Sequence, residues 1–207
     1  MIHVKHRSPG IRLGPQVVVS RETSERLAAY EALLRVWNPK INLISSSDLQ
    51  HLWARHIDDA LSLVPLIPPG VSRAIDLGSG GGLPGLVLAI ATGIAFDLVE
   101  SDTRKAAFLR EAARITSAPV TVHHARIEAV LLPPAPLVTA RALAPLPRLL
   151  ELSAHFLAPG GLALFPKGDR LEEELTQARR TWTMATAIHQ GPNGPVLSVS
   201  DPCPIQV

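Results

Sequence analysis

Asp76-Leu77-Gly78-Ser79-Gly80-Gly81-Gly82-Leu83-Pro84-Gly85 joins an apolar run, Val71 to Leu77, to a second that opens at Leu86. That order predicts a strand, a glycine turn and the start of a helix. Glycine lets the backbone turn sharply and approach a ligand closely, because no Cβ stands in the way. About twenty residues beyond the turn, Phe96-Asp97-Leu98-Val99-Glu100 reads as a second strand ending in a carboxylate, placed to accept hydrogen bonds from both hydroxyls of a ribose. Together they suit a nucleoside.

The glycine spacing narrows the ligand. A dinucleotide fingerprint places glycines at relative positions one, three and six. Here those positions hold Gly78, Gly80 and Leu83, so the third fails. The pattern is instead acid-x-Gly-x-Gly-x-Gly over Asp76, Gly78, Gly80 and Gly82, which resembles motif I of class I S-adenosylmethionine (SAM) methyltransferases. SAM has no pyrophosphate to cradle, and an acid before the turn suits the ammonium of its amino-acid end. Asp76, Gly78, Ser79, Gly80, Gly82, Leu83 and Glu100 are the expected cofactor contacts, with S-adenosylhomocysteine (SAH) as product. The plain alternative is a tight loop between strand and helix.

The elements around the turn must place it. Strands are predicted at 73–77, 95–100, 119–123, 136–140 and 161–166, and helices at 84–92, 103–115, 126–131, 145–157 and 169–182. Such alternation implies a mostly parallel sheet with helices on both faces, a Rossmann-like α/β fold. Met184 to His189 and Val196 to Ser200 flank Gly191-Pro192-Asn193-Gly194 and read as an antiparallel pair, completing seven strands. Before the core, residues 1–19 read as a loose arm broken by Pro9, Gly10, Gly14 and Pro15. Ser20 opens a helix through Val36, Ser45-Ser46-Ser47-Asp48 caps a second, and Asp58 to Val64 forms a third. The expected division is arm and helical extension over 1–70 and SAM-binding core over 71–207, together one compact domain. In an open α/β sheet the ligand lies beyond the carboxyl ends of the strands. Asp76 to Gly82, Glu100, His124 to Glu128, Arg141 and Lys167 all fall at such ends.

The flanks sharpen the resemblance. Trp37-Asn38-Pro39-Lys40-Ile41-Asn42-Leu43 and Arg55-His56-Ile57-Asp58-Asp59-Ala60-Leu61 stand upstream; Ala140-Arg141-Ala142-Leu143-Ala144 and Phe165-Pro166-Lys167-Gly168 stand downstream. With Gly-x-Gly-x-Gly-Leu-Pro-Gly these are similar to the RsmG (GidB) family, over about Ser24 to Gly168. Asp58 and Ala60 depart from the family's block, which carries an apolar residue and a serine there. The resemblance implies a bacterial enzyme that methylates N7 of a guanine in the 16S rRNA of the small ribosomal subunit. It also implies that Ile127 and Glu128 flank the adenine of SAM and that Arg141 lies in the cofactor pocket.

The chemistry fits. N7 carries a lone pair and no proton to lose, so the transfer needs no general base, and orientation supplies much of the acceleration. Guanine shows N7 and O6 side by side, so a donor should hold O6 or a neighbouring phosphate while N7 stays free. Arg141 and Lys167, ending late strands, are the candidate catalytic residues; each is otherwise a strand-end cation paired with an acid. N7 lies in the deep, narrow groove of A-form RNA, so the target is a loop base or an extruded one. Glu128 is alternatively a first-turn helix acid. His56 either touches RNA or packs in a helix, His123 and His124 read as strand-end residues rather than metal ligands, and Trp37 and Trp53 read as packing.

Composition excludes other classes. The 207 residues are 46% hydrophobic, enough for a sizeable core. The single cysteine, Cys203, excludes an internal disulfide and a thiolate metal site, and points to a reducing cytoplasm. The basic start lacks the apolar stretch of a signal peptide, and the longest apolar run is too short to span a membrane. A monomer is expected. Net charge is only +2, but Lys5, Arg7 and Arg12 in the arm, and Arg104, Lys105, Arg110 and Arg114 on one helix, form basic patches suited to phosphates or merely solvated. Competing functions are a small-molecule SAM methyltransferase, a non-catalytic RNA- or nucleotide-binding assembly factor, and an NAD-dependent dehydrogenase, which Leu83 disfavours.

Overall fold

A computed structural model describes residues 11–13 and 17–205. The chain opens with two short antiparallel strands, β1 (Ile11–Leu13) and β2 (Val17–Val19). The arm therefore contains a pair of strands where a loose segment was expected, while Lys5 and Arg7 lie outside the described residues. Helix α1 (Arg21–Ile41) starts at Ser20, whose hydroxyl accepts from the Thr23 amide at 3.1 Å. It runs past Trp37, through Pro39, and stops at Asn42 in the left-handed region.

The expected second and third helices are a chain of short turns. A 3₁₀ turn (Asp48–His51) leads into a π-helical turn (Trp53–Ile57), then α2 (Asp58–Leu61) and a second 3₁₀ turn (Val64–Leu66). Apolar residues lie too irregularly here to sustain one helical stripe, and tertiary contacts set the backbone.

The core then alternates as the sequence predicts: β3 (Arg73–Leu77), α3 (Gly85–Thr92), β4 (Ala95–Glu100), α4 (Thr103–Thr116), β5 (Val120–His124), β6 (Ala135–Thr139), α5 (Leu146–Ser153), β7 (Leu157–Pro166), α6 (Leu171–Ala178), β8 (Trp182–Gly191) and β9 (Gly194–Pro204). The seven-stranded sheet has the order β5-β4-β3-β6-β7-β9-β8. Strands β3 to β7 pair in parallel, and β9 runs antiparallel to both β7 and β8. This is the α/β, Rossmann-like sheet that the alternation implied. Two expected helices are shorter: 126–131 reduces to a 3₁₀ turn at Ile127–Ala129, and 169–182 ends at Ala178 because Trp182 begins β8. Pro133 and Pro134, followed by β6, leave no room for the first to continue.

Apolar side chains form a cluster on each sheet face. Leu86, Leu88 and Ile90 of α3 and Phe108 and Leu109 of α4 fill one, together with Leu27, Tyr30 and Leu34 of α1 and Leu52 and Ile57. Leu146, Leu149 and Leu150 of α5 and Leu171 and Leu175 of α6 fill the other. The helical prelude thus shares a continuous core with α3 and α4. Trp37 and Trp53 pack against that core, Trp37 edge-on to Phe108 at 5.8 Å, in line with their expected packing role. No helix among the described residues is long and apolar enough to cross a membrane.

Candidate active site

Strand β3 delivers Asp76 and Leu77 to the glycine turn. Gly78, Gly80 and Gly82 have φ of 66°, 53° and 87°, a region that a Cβ makes costly. The turn is close-packed on its inner side. A Cβ on Gly82 would lie 2.8 Å from Leu86 Cβ, and one on Gly85 2.5 Å from Asp76 Cβ. Gly80 differs: a Cβ there would meet nothing closer than the Gly78 carbonyl oxygen at 3.8 Å. The space over Gly80 is open, as the face that receives a ligand must be. Leu83 is buried against the α3 side and belongs to the core.

Glu100, at the end of β4, closes this site. Its Oε2 accepts from the Gly80 amide and its Oε1 from the Asp102 amide, each at 2.8 Å. A carboxylate has about four lone-pair positions, so each oxygen keeps capacity for one ribose hydroxyl. The Ser79 amide donates to the Val99 carbonyl at 3.0 Å, which locks the turn to the same strand.

Asp76 is fully buried. Its Oδ1 accepts from the Thr139 hydroxyl at 2.6 Å, while Oδ2 has no hydrogen-bond partner among the described residues. Burial pushes its carboxyl up to about 6, against the opposing pull of Thr139. Oδ2 lies against the first turn of α3, where a Cβ on Gly85 would come within 2.8 Å of it. The turn is also braced from behind: Tyr30 donates its hydroxyl to the Gly81 carbonyl at 2.7 Å. Asn38 holds both polar groups of Ile44, at 2.8 and 3.1 Å, which seats Leu43 under Gly81.

The segment after β5 begins beside Glu100, with the Ala125 amide donating to the Glu100 carbonyl at 3.1 Å. Ile127 is buried there among the α5-side residues. Glu128 is exposed and accepts from Arg148 at 2.8 Å, so its carboxylate is engaged on the surface.

Next to the turn lies a polar cleft of about 670 Å³, bounded by the helical prelude, the loop after β6, the end of β7 and the β8–β9 turn. Arg141, Lys167, Arg55, His56, Asp59 and Asn193 face it. Leu143 bridges the two parts: a Cβ on Gly78 would lie 2.7 Å from Leu143 Cδ1. The loop carrying Arg141 and Leu143 is held in an unusual shape, with Ala142 at φ 52°. Lys167 and Glu174 clamp it. Lys167 Nζ contacts Glu174 Oε2 at 2.6 Å and donates to the Ala144 carbonyl at 3.3 Å, while the Leu146 amide donates to the same Glu174 oxygen at 2.9 Å.

Arg141 is mostly buried and lies 3.4 Å from Asp59 Oδ2. Burial raises the Asp59 carboxyl, with Arg141 pulling the other way. His56 lies 3.5 Å from Asp48 Oδ2, and neither ring nitrogen makes a hydrogen bond among the described residues. Burial, then the Arg141 charge, depress its pKa to about 4, so it is neutral at neutral pH. The departures from the family's block fall close by: Ala60 is in the core, and Asp58 is half-buried with Oδ1 unpartnered among the described residues.

Three residues escaped the sequence reading. Tyr30 carried only a packing signal from its helical spacing. Asp59 lay in a quoted block without an assigned role. Leu143 gave no chemical signal. Of the basic patches, Arg114 is bound twice by Glu111, at 2.7 and 2.9 Å, and Arg104 lies 3.8 Å from Asp102; Arg110 has no ion pair among the described residues. His123 pairs with Asp97 at 2.7 Å, and Asp97 also holds Arg73 at 2.8 Å, a structural network. No group of acids, histidines or cysteines among the described residues could hold a metal ion.

The parallel sheet with its terminal antiparallel hairpin, and a glycine turn meeting a strand-end acid, define a class I methyltransferase fold. A solved O-methyltransferase from Bacillus cereus in complex with SAH superposes with a TM-score of 0.52 at 15% identity, covering 91% of this chain and 93% of that one. A ribosomal protein L11 methylase from Lactobacillus delbrueckii gives 0.55 at 17% identity, over 73% and 78%. The GidB model, described as rRNA small subunit methyltransferase G, matches residues 23–194, and the chain belongs to that family. It is 54% identical over 189 residues to ribosomal RNA small subunit methyltransferase G of Rhodospirillum centenum, covering 90% of this chain and 88% of that protein. The Gluconobacter oxydans protein of the same name is 54% identical over 186 residues, covering 88% and 96%.

Proposed function

We propose that the chain transfers a methyl group from SAM to N7 of a guanine in 16S rRNA of the small ribosomal subunit. One arrangement carries this reading: an open glycine turn tied to Glu100 lies beside a cleft lined by Arg141 and Lys167. The residues present fit SAM. Gly80 leaves space, Glu100 retains lone pairs for the ribose, and buried Asp76 has an unpartnered oxygen for the ammonium. Ile127 and the backbone at Glu128 are assigned to the adenine, and Gly78, Ser79, Gly82 and Leu83 shape the turn. Bound there, SAM supplies a methyl group already activated by its sulfonium.

The remaining work is positioning. N7 has no proton to lose, so no residue acts as a base, and none is needed. Arg141 donates to O6 and leaves N7 free. It also meets the positive charge that moves toward the purine by keeping Asp59 beside it as a counter-charge. Lys167, paired with Glu174, holds the Arg141 loop rigid through the Ala144 carbonyl and so keeps Arg141 in position. Neutral His56 offers a ring surface without adding charge. The cleft's size suits a base extruded from folded RNA. The helical prelude is part of this site, so we assign 1–70 and 71–207 to one working unit, a cytoplasmic enzyme acting as a monomer. Names of the relatives support the rRNA substrate, since both act, by those names, on small-subunit RNA.

The test is to map N7-methylguanine in 16S rRNA from cells with and without the protein, and after adding it to unmodified small subunits with SAM. One guanine should gain the mark. Transfer to small metabolites with none to rRNA would overturn the reading, and SAM binding without any transfer would favour an assembly factor.

A further inference from the structure

An extruded purine in the cleft must still be recognised as guanine. N7 is common to guanine and adenine, so it cannot discriminate. The neighbouring positions can. Guanine shows an acceptor at O6, then a donor at N1 and further donors at N2. Adenine shows donors at N6, then an acceptor at N1. The two bases present opposite polarity at the same two positions.

The cleft contains a pair with matching polarity. Among its carboxylates, Asp48 is bound to Arg55, and Glu174 is shared between Lys167 and the Leu146 amide. Asp59 has a long 3.4 Å contact from Arg141, with Asn193 as its other polar neighbour, and no cation holds it closely among the described residues. It is 8% exposed, so an acceptor left unpaired there is costly. A π-helical turn (Trp53–Ile57) immediately precedes it; such turns re-aim side chains and cluster at functional sites. The result is a donor and an acceptor side by side, from elements 82 residues apart in sequence.

We propose that Asp59 determines specificity for guanine, accepting from N1–H and N2–H while its neighbour Arg141 donates to O6. This rests on the reading of the cleft as the guanine site. Adenine would set its N1 lone pair against the carboxylate and its N6 donors against the guanidinium. Both contacts become repulsive, and both protein groups lose their partners. Asp59→Asn keeps the shape but offers an amide, which can donate to adenine N1 and accept from N6.

The test uses unmodified small subunits carrying either the mapped guanine or an adenine in its place, and single-turnover transfer of labelled methyl from SAM. Asp59→Asn should lower the guanine-to-adenine rate ratio by roughly 10- to 100-fold, the discrimination typical of one bidentate contact. Transfer to adenine should rise above that of the wild type. Asp59→Ala should slow transfer to guanine with no gain on adenine; SAM affinity should stay near wild type in both variants, and rates are taken per folded molecule because removing the counter-charge of Arg141 lowers the urea midpoint. A guanine rate within twofold of wild type in Asp59→Asn would overturn the proposal. So would equal losses on both bases, or a loss on guanine with no gain on adenine, since either makes Asp59 a support for Arg141. A wild-type enzyme that leaves guanine subunits unmarked would instead remove the parent reading, and this inference with it.

Discussion

Asp76 gives a quantitative test, because burial and function pull it in opposite directions. Its carboxyl is raised from 3.8 to about 6, chiefly by burial. A group with a raised folded pKa is stabilising while protonated, and that contribution is lost as pH rises through the folded value. Between pH 4 and pH 8 the native state binds more protons than the unfolded chain, so this carboxylate costs stability at high pH. At 1.36 kcal/mol per unit, the cost grows by about 2 kcal/mol across that interval. Asp76→Asn cannot titrate, retains an oxygen for Thr139, and adds a fixed penalty for its buried amide donors. That penalty is the same at every pH and cancels when the two proteins' pH profiles are subtracted. Urea unfolding at pH 4 and pH 8 should therefore show the variant gaining about 2 kcal/mol on the wild type at the higher pH. His56, whose depressed pKa removes stability as pH falls below its ordinary value, acts alike in both proteins. Saturating SAM should shrink the difference, since a ligand ammonium near Asp76 would lower its pKa. Parallel profiles without ligand would show Asp76 to be solvated, and no change on adding SAM would remove it from the cofactor site.

Other residues allow independent checks. Glu100→Ala should weaken SAM binding by roughly 1–3 kcal/mol in calorimetry, because ribose hydroxyls and the Gly80 and Asp102 amides lose their acceptor; unchanged affinity would move the ribose elsewhere. Arg141→Ala should cut the single-turnover rate at least tenfold beyond any loss in unfolding free energy, and a variant that keeps its rate per folded molecule would make Arg141 structural. Arg110→Ala should flatten the salt dependence of rRNA binding by up to about one unit while leaving SAM affinity unchanged, whereas Arg114→Ala, already held by Glu111, should change the slope less. Equal slopes in both variants and the wild type would assign that face of α4 to solvent.

The sheet was legible because its signals are local. Apolar runs of strand length end at Leu77, Glu100 and Thr139, and after Glu100 a helix start follows directly at Asp102, whose side chain caps the Arg104 and Lys105 amides at 2.8 and 3.0 Å. The glycine turn was legible for the same reason, since positive φ at Gly78, Gly80 and Gly82 is a property of single residues. The region between Asn42 and Val71 was not. Its backbone follows long-range contacts, such as the Asn193 side-chain Nδ2 donating to the Ala54 carbonyl at 2.8 Å, which no helical period announces. Glu128 shows the same limit at a site residue. A helix was predicted around it, but two prolines and strand β6 end the segment early, and Arg148 claims the carboxylate.

The prelude illustrates how far chemistry and sequence distance can part. The sequence sets an arm and helical extension before the SAM-binding core, with basic residues in the arm and His56 as candidate RNA contacts. In the structure, Tyr30 fixes the Gly81 carbonyl from behind and Leu43 supports the same glycine, so the turn's shape depends on α1. On the other side, Asp59 meets Arg141, which follows the central strand β6. Removing the prelude would therefore expose the underside of the SAM turn and leave Arg141 a partly buried cation without its counter-charge, a costly state. A truncated core should lose SAM affinity as well as rRNA binding. A core that kept full SAM affinity without residues 1–70 would show that the turn stands alone, and would reduce the prelude to an appendage.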